Sequence, residues 1–315
     1  MLKIMNTACF LPYVGLGSCL LHMPYIREFS KKNGPITILT FSKSLRDTLK
    51  FDQDIKEVIV VEKYNKKFLD IFKLSKFLKS LQLNKLYIFK SSLRFYFAAK
   101  MAGINTKSYP FYKKKELHLV KEAQKFTIKH LKLKNCPTET RLNINQKIID
   151  EAKKATGGQN MKILIAPSSS GPTTIWKTHY FIDLMKRMES KFDCFFIIAV
   201  DSSEKEQKIA NEIIKNFQKE KIMLLSDKSI SQSMPFIANC KISICNDTSF
   251  QHISCLLNVP TIILKFDTPS AYTSYSTLQH SILPEGYSEV DHDTRADPEL
   301  IKVDKVFSKV LELIN

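Results

Sequence analysis

A chain of 315 residues with 44% hydrophobic and 25% charged residues has the composition of a folded protein long enough for two domains of ordinary size. No apolar run approaches the roughly 18 residues of a membrane-spanning helix, and seven cysteines without C-x-x-C spacing read as reduced thiols rather than a disulfide framework. The net charge of +17 is uneven, since residues 1–156 hold 31 Lys+Arg against 12 Asp+Glu while 157–315 hold 17 against 19. An anionic membrane surface, an acidic substrate or a nucleic acid would therefore meet the first half.

Taken in order, Met1-Leu2-Lys3-Ile4-Met5-Asn6-Thr7 reads as a first strand and lacks the long apolar core of a signal peptide. Gly15-Leu16-Gly17 has Leu20 where a dinucleotide fingerprint needs its third glycine, which argues against a dehydrogenase. Strands are expected at 35–40, 58–61 and 86–89, with helices at 67–81 and 92–102 between them. Lys113-Lys114-Lys115 with Tyr109, Phe111 and Tyr112 is basic and aromatic, and reads as an RNA patch, an interfacial membrane contact or a lysine-rich solvated face. Gly157-Gly158-Gln159-Asn160 is the best linker. Beyond it, strands near 162–166, 194–200, 221–225, 241–245 and 260–264 alternate with helices near 177–190, 203–219, 229–239 and 249–257, and a last helical run covers 297–315. Such alternation predicts parallel sheets covered on both faces, with ligands at the carboxyl ends of the strands. The expected domains are 1–156 and 161–290, followed by a carboxyl-terminal segment, 291–315.

One corner stands out. Cys245-Asn246-Asp247-Thr248-Ser249-Phe250-Gln251-His252 follows the apolar run Ile242-Ser243-Ile244 and opens a helix. At such a corner the first backbone N–H groups are unpaired and the helix dipole is positive, so phosphate oxygens bind there. Asp247 is placed to accept from a ribose hydroxyl, or simply to cap the helix, and Thr248 and Ser249 add hydroxyl donors.

Asp247-Thr248-Ser249-x-x-His252, followed by Asn258-Val259-Pro260-Thr261, resembles the D-[ST]-G-x-x-H…G-V-P-T signature of the family 9 glycosyltransferases, the heptosyltransferase family. Gly15-Leu16-Gly17-Ser18 through Pro24 resembles its amino-terminal G-x-G-D-x-x-x-x-x-P. Ile163 through Ser168-Ser169-Ser170, then Trp176 and Phe181, resembles its strand, Pro-Gly-Ala-Ser turn and Trp-containing helix start. The resemblance implies a GT-B architecture of two doubly wound, Rossmann-like α/β domains with parallel sheets facing a cleft, and a carboxyl-terminal segment, 291–315, that packs back on the first domain. The second domain would hold a nucleotide-diphosphate sugar, an ADP-linked one by the family's habit, and the first an acceptor such as lipopolysaccharide or another cell-envelope glycan. Transfer would be inverting and metal-independent. The donor-site residues would be Ser168, Ser169, Ser170, Lys177, Asp247, Thr248, Ser249 and His252. The expected setting is cytoplasmic, peripheral to an anionic membrane surface, with no cofactor and no nucleic-acid partner.

Two departures matter. Where the family usually carries its aspartate base this chain has Ser18, and a serine of ordinary pKa does not take a proton usefully at pH 7. The basic residue that usually stands two positions before the Trp is Thr174 here, leaving Lys177 to restore a positive charge. His22 is the substitute candidate base, or else a histidine packed on the core. The alternative function is a GT-B protein that binds a nucleotide or a partner and has lost transfer. Asp52-Gln53-Asp54 and Asp291-His292-Asp293 read as surface loops away from the site.

Overall fold

The computed structural model describes residues 6–62, 70–111, 118–158, 160–169 and 174–314. They fall into two compact units, Met1–Thr140 and Arg141–Asn315. In the first, β1 (Thr7–Leu11), α1 (Leu16–Leu20), α2 (Met23–Asn33), β2 (Ile36–Thr40), α3 (Leu45–Thr48), β3 (Ile55–Val60), α4 (Asp70–Ser80), β4 (Lys85–Ile88), α5 (Leu93–Met101), β5 (Asn105–Ser108) and α6 (Leu119–Leu131) follow one another. The strands form one parallel sheet in the order β3-β2-β1-β4-β5. The first strand therefore lies at Thr7–Leu11, beyond the Met1–Thr7 segment expected from sequence, of which residues 1–5 lie outside the described residues. Every residue of Thr7–Leu11 is buried, as a central strand covered on both faces requires.

The second unit runs α7 (Gln146–Ala155), β6 (Met161–Ala166), α8 (Thr178–Lys191), β7 (Cys194–Ile198), α9 (Glu204–Ile214), β8 (Ile222–Leu224), α10 (Ile230–Ala238), β9 (Ile242–Cys245), α11 (Ser249–Leu256), β10 (Thr261–Leu264), β11 (Gln279–Ile282) and α12 (Val303–Ile314). Its sheet is also parallel, in the order β11-β10-β9-β6-β7-β8. In each sheet the chain winds outward from a central strand, then restarts on that strand's other side. The switch points lie between β1 and β4 and between β6 and β9, and ligands of doubly wound sheets bind at the carboxyl ends of such strand pairs.

Three expectations are corrected, two of them about boundaries. Gly157 and Gly158 do not separate the units. With φ of 78° and 64° they take the left-handed conformation that ends α7 and turns the chain into β6, inside the second unit. The segment before them is tied to that unit by Leu142 N–H to Leu256 O at 2.8 Å and by Asn239 Nδ2 to Ile149 O at 2.7 Å. The carboxyl-terminal helix belongs to the second unit as well, because Val303, Val306 and Val310 enter the apolar cluster of Phe181, Ile262 and Leu264, and Trp176 Nε1 donates to Ile301 O at 2.9 Å. Asp52-Gln53-Asp54 is not a solvated loop, since Asp52 is buried and Arg27 of α2 donates to both Asp52, at 2.7 Å, and Asp54.

Recounted by unit, the first holds 27 Lys+Arg against 10 Asp+Glu, and the second 21 of each. Of the basic aromatic patch, Tyr109 is a core residue and Phe111 is exposed, while 112–117 lie outside the described residues.

Candidate functional site

The β6–β9 switch point is held together by Asn246, which is fully buried. Its backbone N–H donates to Ala166 O at 3.0 Å, Nδ2 donates to Pro167 O at 2.7 Å, and Oδ1 accepts from the Trp176 N–H at 2.9 Å. One side chain thus locks the turn after β6 and the entry to α8 against the end of β9. Ser168 is buried at that turn and Ser169 is half-buried beside it, whereas Ser170 lies outside the described residues.

From Asn246 the chain passes through Asp247 into α11. Thr248 is the N-cap residue, extended at φ −145° and ψ 161°, and its hydroxyl makes no capping bond. Asp247 does not cap either. Its Oδ1 accepts from Gln251 Nε2 and its Oδ2 from the Thr268 hydroxyl, both at 2.7 Å. The helix start is therefore left without a side-chain cap, with the half-buried Thr248 and Ser249 hydroxyls next to it, and this arrangement suits an anion. Burial raises the Asp247 pKa above the usual carboxylate value, opposed by the bonds from Thr268 and Gln251 and reinforced by the charge of Asp267. Asp291, His292 and Asp293 are all exposed, as expected of a surface loop, and the charge of His292 is the least of the influences on Asp247.

Residues just past β10 complete the corner, and the sequence reading missed them. Ile262, Leu264 and Phe266 point into the apolar core on one face of the sheet, so by strand alternation Lys265 leaves on the α11 side. Lys265 is only 3% exposed. Its ammonium meets Ser270 Oγ at 3.2 Å, and among the described residues no carboxylate lies within ion-pairing distance. Burial lowers its pKa, against the charges of Asp247 and Glu289. Asp267 Oδ2 accepts from the Thr174 N–H at 2.7 Å, which ties the position of the family's usual cation to the loop that carries Lys265. The available signal was the repeat of Asp-Thr: Asn246-Asp247-Thr248 ends one strand and Phe266-Asp267-Thr268 follows the next.

Three of the predicted residues play other parts. Lys177 precedes α8, is exposed, and pairs with Glu299 at 2.9 Å. His252 is buried on α11, with Nδ1 at 2.6 Å from the Tyr275 hydroxyl and its ring stacked on Tyr275. Burial lowers its pKa to about 4, so the ring is neutral at pH 7. His22 is fully buried, stacks on Tyr13, and donates from Nδ1 to Ser18 O at 2.7 Å. Burial lowers its pKa to about 4 as well, and a ring with no exposed surface does not reach an acceptor hydroxyl, which removes it as substitute base. Ser18 itself is half-buried on the short α1, at the carboxyl end of β1.

Two doubly wound parallel sheets, one in each unit, define a GT-B type α/β protein. A sequence model of glycosyltransferase family 9 (heptosyltransferase) matches residues 79–291, and the chain belongs to that family. Solved structures share the fold over nearly the whole chain. The Escherichia coli ADP-heptose lps heptosyltransferase II is 16% identical with a TM-score of 0.72, covering 98% of both chains. A family 9 glycosyl transferase from Veillonella parvula is 15% identical with a TM-score of 0.74, covering 99% of this chain and 98% of its own. The E. coli heptosyltransferase WaaC with ADP is 12% identical with a TM-score of 0.71, covering 98% of this chain and 100% of its own. A search of curated proteins finds no sequence match.

Proposed function

We propose that this protein transfers a sugar from a nucleotide-diphosphate donor to a lipopolysaccharide-type or other cell-envelope glycan acceptor, with inversion and without a metal ion. The observation that carries this reading is the start of α11, which has no side-chain cap and lies at the β6–β9 switch point, with its Asp-Thr turn bonded to the Asp-Thr turn that follows β10. The departing diphosphate needs preorganised positive potential. In this reading the helix start, the Thr248 and Ser249 hydroxyls, the Ser168-Ser169 turn and the Lys265 ammonium supply it, while Asp247 faces the sugar or ribose. An adenine-linked donor is favoured because a relative of the same fold was solved with ADP.

On the acceptor side Ser18 occupies the family's base position. It orients the acceptor hydroxyl through a hydrogen bond and does not remove its proton, so turnover rests on stabilising the leaving group and is slow compared with an aspartate base. The site of action in this reading is the cytoplasmic face of a membrane that carries the acceptor. No helix among the described residues is long and apolar enough to cross a membrane, which agrees with peripheral attachment.

Titration calorimetry with ADP, UDP, GDP and CMP, and then with their sugar conjugates, tests the reading. Binding of one nucleotide well above the others is expected, ADP first. Absence of binding to all four removes the donor site.

A further inference from the structure

We propose that the outward faces of α4 and α5 form the surface by which the first unit docks on an anionic lipid bilayer. The inference rests on the membrane-borne acceptor of the reading above and names the surface that meets that membrane; it does not depend on which sugar or nucleotide is used. Leu93, Phe97 and Met101 lie at four-residue spacing on α5 and are 54%, 51% and 51% exposed. Residues at i, i+4 and i+8 drift by only about 40° per step, so the three make one stripe of about 12 Å along the helix. The opposite side of α5, with Phe95, Ala98 and Ala99, is the side buried in the unit's core. Folding therefore leaves the stripe outside.

Its surroundings choose the partner. Phe111 is exposed and in ring contact with Tyr96 at 5.5 Å, and on α4 Phe72 is exposed among Lys73, Lys76 and Lys79. Across α4 and α5 there are five basic residues and one carboxylate, Asp70, which is buried. An apolar stripe flanked by exposed lysines on a unit with 27 basic and 10 acidic residues fits an anionic membrane interface, where aromatic and aliphatic side chains enter the headgroup boundary and lysines stay with the phosphates. A second protein chain would be expected to supply carboxylates opposite those lysines, and a second copy of this unit offers almost none on the same face. Leu93 begins α5 at the carboxyl end of β4, so the stripe starts at the rim assigned above to the acceptor.

Co-sedimentation of the full chain with vesicles tests the proposal, using phosphatidylglycerol mixed with phosphatidylethanolamine against pure phosphatidylcholine. Binding should be at least tenfold stronger to the anionic vesicles and fall as salt rises through about 0.15 M, where the Debye length is roughly 8 Å. Leu93→Ser, Phe97→Ser and Met101→Ser together should weaken binding to anionic vesicles at least tenfold without lowering the thermal midpoint, since all three side chains are exposed. In a Phe97→Trp variant, the new indole should shift to the blue on vesicle addition and be quenched by lipids brominated high in the acyl chain. Equal partition of the triple variant and the wild type overturns the proposal, as does an indole that stays in water while the protein is bound. A concentration-dependent dimer that the triple variant abolishes, with vesicle binding unchanged, also overturns it and makes the face a self-association surface.

Discussion

The Thr268 hydroxyl donates to Asp247 Oδ2 at 2.7 Å and thereby joins the turns that follow two neighbouring strands, β9 and β10. Because Gln251 takes the other carboxylate oxygen, Asp247 has no part in capping its own helix. The consequence is electrostatic. A carboxylate that capped α11 would neutralise the helix start, whereas one held aside by Thr268 leaves the unpaired N–H groups to a ligand.

If the diphosphate binds there, Ser249→Asp places a like charge against it. Affinity for the preferred nucleoside diphosphate should fall tenfold or more, about 1.4 kcal/mol, by calorimetry. An unchanged dissociation constant in a folded variant removes this corner from the site.

Asn246→Ala should be the most damaging single change at the switch point. It strips partners from two buried backbone groups, the Pro167 carbonyl and the Trp176 N–H. Each such orphan costs about 1–3 kcal/mol, so urea unfolding should show a loss of roughly 3 kcal/mol with little change in slope. A loss under about 1 kcal/mol would mean that water replaces the amide at both positions.

Lys265→Met should separate binding from stability. Removing a buried ammonium with a single hydroxyl partner leaves stability unchanged or raises it, while diphosphate affinity falls tenfold or more and Lys265→Arg restores part of it. Equal affinity in the Lys265→Met variant and the wild-type protein would assign Lys265 to packing and leave the rest of the corner intact.

Acid should unfold this protein through its buried histidines. His22 and His252 have folded pKa values lowered by burial from 6.5 to about 4, so the unfolded chain takes up protons that the folded one refuses. Stability is complete above about pH 6.5, falls as the pH drops towards 4, and each histidine contributes up to about 1.4 kcal/mol per pH unit to that slope. His22→Phe should flatten it measurably in urea titrations at pH 7.5, 6 and 5. An unaltered slope would place the acid sensitivity elsewhere.

Ser18→Asp should raise turnover by about 10–10² once a donor and acceptor are known, because it supplies a proton acceptor at the carboxyl end of β1. Donor affinity should stay within about twofold. A rate no higher than wild type would show that proton removal does not limit transfer.

Strand–helix alternation and its parallel sheets were legible in the chain, because buried strands are continuous apolar runs and amphipathic helices repeat at 3.6 residues; even the helix start at Thr248–Ser249 followed from its local polar corner. The edges were not. Gly157-Gly158 looks the same in a linker and in a helix-ending turn, and only the packing of α7 against α10 distinguishes them. The same limit applies to the site residues. His22 and Lys177 have the right chemistry in sequence, yet burial neutralises one and Glu299 engages the other. Lys265 feels the charge of Asp247 only because β10 lies beside β9, a neighbour relation between segments about 20 residues apart that no local pattern encodes. Burial, pairing and charge at a site are properties of what surrounds a side chain, and tertiary structure alone supplies the surroundings.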